Sequence, residues 1–88
     1  MFIIHTPTLE DYREIVKCAI SRGMTWRSGC TRVFDVYWKS YDRRQETCII
    51  IDEYNLLSCS NRKCAAEKYK NIPILNKTEY YGTIYGLK

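Results

Sequence analysis

Phe2-Ile3-Ile4-His5-Thr6-Pro7-Thr8-Leu9-Glu10-Asp11-Tyr12-Arg13-Glu14-Ile15-Val16-Lys17-Cys18-Ala19-Ile20-Ser21-Arg22-Gly23 sets a strand-length apolar run beside an amphipathic helix. The helix starts after Pro7: Thr8 is placed to cap it, and Asp11 three residues later completes a T-x-x-D box. Leu9, Tyr12, Ile15, Val16, Ala19 and Ile20 then fall on one helical stripe. Glu10, Arg13, Glu14 and Lys17 face away from it. Gly23 supplies the left-handed residue that ends the helix.

Outward from this unit, Met24 to Cys30 has no clear period. Arg32 to Tyr41 alternates, with Phe34, Val36 and Trp38 on one face and Val33, Asp35, Tyr37 and Lys39 on the other, which predicts a strand. Asp42 to Glu46 reads as a hairpin loop. Thr47-Cys48-Ile49-Ile50-Ile51 is apolar on both faces and predicts a buried strand. Glu53-Tyr54-Asn55 turns the chain, and Leu56 to Cys59 returns as a strand. Ser60 or Asn61 caps a second, shorter helix over Arg62 to Tyr69, with a thin apolar stripe of Cys64, Ala65 and Tyr69. Ile72 to Leu75 is a last strand, placed at an edge by Pro73, which has no N–H to donate.

The order β-α-β-β-β-α-β predicts an α+β domain: a small antiparallel sheet with one long and one short helix packed on it. At 88 residues the chain has room for one domain, assigned to residues 1–76. Residues 77–88 form a Tyr-rich arm carrying Tyr80, Tyr81 and Tyr85, either frayed or docked on a neighbouring subunit. The longest apolar run is Cys48 to Ile51, far short of the ~20 residues of a membrane span. The N-terminal residues lack the pattern of a signal peptide, so a cytoplasmic location is expected.

Fourteen Lys and Arg against ten Asp and Glu give a net charge of +4. These cations are spread along the chain, with tight pairs only at Arg43-Arg44 and Arg62-Lys63. Such dispersion argues against nucleic acid as the partner and leaves room for a small anionic ligand. Five cysteines form an odd set, which speaks against a disulfide framework. Cys59-x4-Cys64 is a single near pair with no second pair and no nearby His, so no zinc is expected. Cys18 and Cys48 read as small core residues.

Catalytic signatures are missing. His5 is the only histidine and sits at a strand end, where a capping or surface role suits it better than general base. Asp52 and Glu53 are adjacent and suit a turn. No nucleophile elbow, zinc-protease motif or phosphate-binding glycine loop occurs. The chain is therefore expected to be no enzyme, with no cofactor and no metal.

Binding signatures are present. Eight tyrosines and two tryptophans lie on a basic background, and aromatic faces with arginines suit nucleotide bases and phosphates. Between Gly23 and Gly29, Trp26 is placed to stack, Arg27 to pair with a phosphate and Ser28 to donate a hydroxyl hydrogen bond. The alternative is that Trp26 anchors the core and Gly29 is a plain turn.

Gly23-x-x-Trp26-x-Ser28-Gly29 follows an amphipathic helix and precedes a tryptophan-containing strand and a short hairpin. Over residues 8–60 this layout resembles small accessory proteins encoded by tailed bacteriophages. The chain departs from that set in its long Tyr-rich tail. The resemblance implies a non-enzymatic protein acting on the host cell, in one class as an oligomeric sponge that sequesters a cyclic nucleotide of bacterial immunity. Under that implication the ligand-binding residues are Trp26, Arg27 and Ser28 with Tyr37 or Tyr81, in a homo-oligomer. A small inhibitor of a host protein is the alternative, and nucleic-acid binding is the weaker one.

Overall fold

Period-two alternation in two apolar strands organises the whole molecule. In the computed structural model, which describes residues 1–40 and 43–86, strands β1 (Phe2–His5) and β3 (Thr47–Ile51) lie antiparallel at the centre of a five-stranded sheet. Ile4, Ile49 and Ile51 point to one face, while Ile3, Cys48 and Ile50 point to the other. Both faces are covered, so β3 is buried along its length as its composition predicted.

The remaining elements are α1 (Leu9–Ser21), β2 (Thr25–Trp26), α2 (Asp35–Lys39), a 3-10 turn at Arg44–Glu46, β4 (Leu56–Asn61), α3 (Arg62–Lys68), β5 (Ile74–Leu75) and α4 (Lys77–Tyr85). Strand order is β2-β4-β3-β1-β5. The α+β class holds, but the sheet is mixed rather than purely antiparallel: β1–β3 and β3–β4 are antiparallel, and the edge strands β2 and β5 run parallel to their neighbours. Among the described residues no helix is long and apolar enough to cross a membrane.

Helix α1 follows its sequence signals. The Thr8 hydroxyl accepts from the Asp11 N–H at 3.1 Å, and Tyr12, Ile15, Val16 and Ala19 are buried on the sheet. Gly23 has φ +89°, the left-handed residue that lets the chain leave the helix. Asn61, the last residue of β4, caps α3 by accepting from the Cys64 N–H at 2.7 Å. Only Ala65 of α3 is buried, against Ile3, Cys48 and Ile50 on the far face of the sheet. The layers are therefore α1, α2 and α4 on one face and α3 on the other.

Two expectations need correction. The strand expected over Arg32 to Tyr41 contains the helix α2, with Tyr41 and Asp42 outside the described residues. Phe34, Tyr37 and Trp38 have helical spacing, and tertiary bonds fix them in that form. Phe34 O accepts from the Tyr12 hydroxyl at 2.6 Å, Arg13 Nε donates to Asp35 Oδ1 at 3.0 Å, and Trp38 Nε1 donates to Thr6 O at 2.9 Å. Val36, which a strand would have buried beside Phe34 and Trp38, is 65% exposed.

The second correction concerns the arm. Lys77–Tyr85 forms α4, opened by a reciprocal capping box between Asn76 and Glu79. Tyr80 is fully buried in the core shared with α1, and Lys77 pairs with Asp11 and Glu14, both at 3.0 Å. Leu87 and Lys88 lie outside the described residues. The expectation for the cysteines divides: Cys48 is fully buried, whereas Cys18 is half-buried with its sulfur 3.1 Å from the Tyr85 hydroxyl.

Two stability predictions arise here. The Thr47 hydroxyl is buried without a hydrogen-bond partner, although the Thr47 carbonyl accepts from both the backbone and the hydroxyl of Thr6. Removing a buried unpaired hydroxyl in a near-isosteric side chain is favourable, so Thr47→Val should raise stability by about 1 kcal/mol in a urea melt. A lower midpoint would contradict this. Separately, hydrogen bonding from Arg13 holds the Asp35 carboxyl below its ordinary range. A carboxyl lowered on folding stabilises above its unfolded pKa, and that contribution fades as pH falls through the folded value. Asp35→Asn should therefore show a shallower loss of urea midpoint than wild type below pH ~4.

Candidate functional site

β2 is only two residues long, and that brevity makes the site. It pairs with β4 at Leu56 and Leu57, then the chain turns away, so that among the described residues no strand lies beside Ser58 and Cys59 on that side. The turn is Arg27-Ser28-Gly29. Gly29 N–H donates to Trp26 O at 2.8 Å, Trp26 N–H donates to Cys30 O at 3.0 Å, and Gly29 has φ +85°. This is the three-residue loop whose last position is left-handed, which glycine occupies without steric cost. The W-x-S-G spacing is thus a turn signature, and it leaves Arg27 and Ser28 exposed.

The open sheet edge and this turn bound a cleft of about 280 Å3. Its walls come from three places. Trp26, Arg27 and Ser28 come from β2 and its turn; Tyr37 and Arg43 come from α2 and the chain before the 3-10 turn; Leu57, Ser58 and Cys59 come from β4. Four of the five residues expected from sequence, Trp26, Arg27, Ser28 and Tyr37, therefore meet in one cleft.

Tyr81 does not join them. It lies on α4, half-buried between the rings of Tyr80 at 5.9 Å and Tyr85 at 5.8 Å. That helix packs on β1 and β5, toward the opposite edge of the sheet from β2. Burial, with Glu14 nearby, pushes the Tyr81 hydroxyl pKa up, so it stays protonated.

Trp26 is both core and wall. It is 4% exposed, its indole N–H donates to Arg32 O at 2.7 Å, and its ring meets Tyr37 edge-on at 5.0 Å and Phe34 at 6.2 Å. With so little free surface, Trp26 sets the shape of the cleft, and Tyr37, half-buried, is the aromatic ring with surface left for a ligand.

Arg43 is the residue the sequence reading missed. Its Nε donates to Tyr37 O at 2.6 Å, which fixes the guanidinium stem against α2 while the side chain lines the cleft. The signal available was the Arg43-Arg44 pair, but nothing local in the sequence ties it to Trp26. Arg27, by contrast, is 63% exposed and only loosely paired, 3.6 Å from Asp52 Oδ2. Burial pushes the Cys59 thiol up to about 12, so the cleft's thiol is neutral at physiological pH and a poor nucleophile.

Fold and site together define a small α+β protein with a cleft at the open sheet edge, walled by aromatic rings and hydroxyls and carrying two guanidinium groups. Comparison with family models, curated proteins and solved structures finds no match.

Proposed function

We propose that this protein is a non-enzymatic accessory protein of bacteriophage type that counters host defence by binding and sequestering a cyclic nucleotide signal in the cleft. One observation carries the reading: Trp26, Arg27, Ser28 and Tyr37, chosen from sequence for base and phosphate recognition, converge with Arg43 on one cleft. Arg27 and Arg43 supply charge and planar donors for a phosphate, Ser28 and Ser58 supply hydroxyls, and Tyr37 offers apolar surface to a base.

The volume bears on stoichiometry. Small-molecule sites run to roughly 300–1,000 Å3, so a cleft of about 280 Å3 suits one nucleotide unit. A cyclic dinucleotide then spans two clefts, which a homo-oligomer in the host cytoplasm would supply.

Ligand capture tests the proposal. Purified protein is incubated with cyclic mono-, di- and trinucleotides, freed of unbound ligand, heat-denatured, and its released contents are analysed. Recovery of one intact nucleotide supports sequestration. Release of a cleaved product, or an empty protein across the panel, overturns it.

A second reading has its own support. Tyr54 is 75% exposed and Tyr85 54% exposed, and exposed tyrosines are favoured interface anchors. They suit a small inhibitor of a host protein, for which capture is empty and one host protein co-purifies in stable complex.

A further inference from the structure

We infer that Cys18 is a modification site: hydrogen peroxide converts its thiol to a sulfenic acid, and a hydroxyl-lined niche between α1 and α4 retains the oxidised form. The cleft plays no part in it. Three side chains gather around the Cys18 sulfur. The Tyr85 hydroxyl lies 3.1 Å from it. Arg22, one turn further along α1, sets its guanidinium carbon 5.9 Å from the centre of the Tyr85 ring. Tyr80 is fully buried, and its hydroxyl neighbours Cys18, Arg22 and Tyr85.

The Tyr80 hydroxyl is what points to an incoming group. It is buried without a hydrogen-bond partner, a costly state that native structures rarely keep. Arg22 has only N–H groups to offer it, and a thiol sulfur is a weak acceptor. Glu14, the carboxylate one turn before Cys18, is held by Lys77 at 3.0 Å and sits beside the Tyr81 hydroxyl. A sulfenic acid places a new oxygen on the Cys18 sulfur, among hydroxyl and guanidinium donors that otherwise lack a strong acceptor.

The step balances with peroxide alone. The thiolate sulfur attacks one peroxide oxygen, the S–O bond forms as the O–O bond breaks, and hydroxide leaves to become water with the proton that the thiol gave up. Sulfur is oxidised by two electrons and peroxide is reduced by two. Cys18 is half-buried beneath Tyr85, which is itself exposed, so peroxide has a short approach. Cys48 and Cys59 compete poorly, because burial pushes their thiols up to about 11 and about 12 and leaves little thiolate at neutral pH. Cys64 is exposed and free to react, but an oxidised group there stands in solvent.

The test treats the full chain with stoichiometric hydrogen peroxide, quenches with catalase, holds the sample, and then denatures it in excess dimedone so that trapping does not depend on access. Mass spectrometry of the peptides gives the dimedone-labelled fraction at each cysteine. Cys18 should carry the largest fraction, with Cys48 unlabelled. Shielding by half-burial would give as much, so two variants isolate the niche. Tyr80→Phe and Tyr85→Phe each remove one hydroxyl and keep the ring. Each should cut the Cys18 fraction roughly threefold or more while leaving Cys64 unchanged. Cys48 reports the fold, since it stays unlabelled while the core is closed; Tyr85 lies on the surface, so its variant decides the matter if the other unfolds. A wild-type Cys18 fraction no larger than that of Cys64 overturns the inference, as does a Cys18 fraction unchanged in Tyr85→Phe or in a folded Tyr80→Phe.

Discussion

Trp26→Ala lowers the stability of the fold by about 3–5 kcal/mol, the range for removing a large aromatic from a core. The basis is the position of the ring: 4% exposed, edge-on to Tyr37 and Phe34, and bonded through its indole to Arg32 O. A domain of this size has roughly 5–15 kcal/mol in all, so the variant sits near the limit of folding. Its melting temperature should fall by roughly 15 °C or more. Trp26→Phe keeps most of the packing and loses the indole bond, and should cost much less, nearer 1–2 kcal/mol. A Trp26→Ala variant less than about 1 kcal/mol below wild type would mean the ring is held for a ligand and not for the core.

Arg27→Ala has the opposite character. The side chain is 63% exposed and its contact with Asp52 is long, so its removal should leave the unfolding free energy from a urea melt within about 0.5 kcal/mol of wild type. Binding should suffer. A charge-assisted hydrogen bond to a phosphate contributes about 1.5–3 kcal/mol, and an open site places this one at the lower end, roughly a tenfold loss of affinity. The salt dependence of binding should also flatten, because one cation has left the site. Unchanged affinity removes Arg27 from the site. Arg43 is a poorer first target, because its Nε also bonds Tyr37 O and its loss would disturb α2.

How much the sequence disclosed depended on whether the deciding interaction was local. Helix α1, the buried strand β3 and the turn at Glu53 to Asn55 rest on periodicity and caps within a few residues and formed as read, and of the two caps open for α3, Ser60 or Asn61, the structure uses Asn61. Between Phe34 and Trp38 the same residues fit both a period of two and a helical spacing. Contacts from Tyr12, Arg13 and Thr6 decided for the helix, and no local pattern contains them. The start of α4 was legible in principle, since Asn76 and Glu79 form an N-x-x-E capping pair, but the adjacent tyrosines and Gly82 blur its apolar stripe. The two-residue strands β2 and β5 carry too few residues to show any period.

The site divides in the same way. Trp26, Arg27 and Ser28 are contiguous, so their grouping was visible in the chain. Tyr37 was named within an element that proved helical, and it reaches the cleft because α2 packs its ring on Trp26. Arg43 and the open edge of β4 are products of tertiary structure: one depends on the turn after α2, the other on the point where β2 stops.

The most direct test of the central claim is where a nucleotide binds. Uniformly 15N-labelled protein titrated with the cyclic nucleotides of the capture panel should show saturable amide shifts at Arg27, Ser28, Gly29, Tyr37, Arg43 and Ser58, together with the Trp26 indole N–H, for at least one ligand. Shifts confined to α3, β5 or α4, or no shifts with any member of the panel at millimolar concentration, would contradict the assignment of the cleft as a nucleotide site.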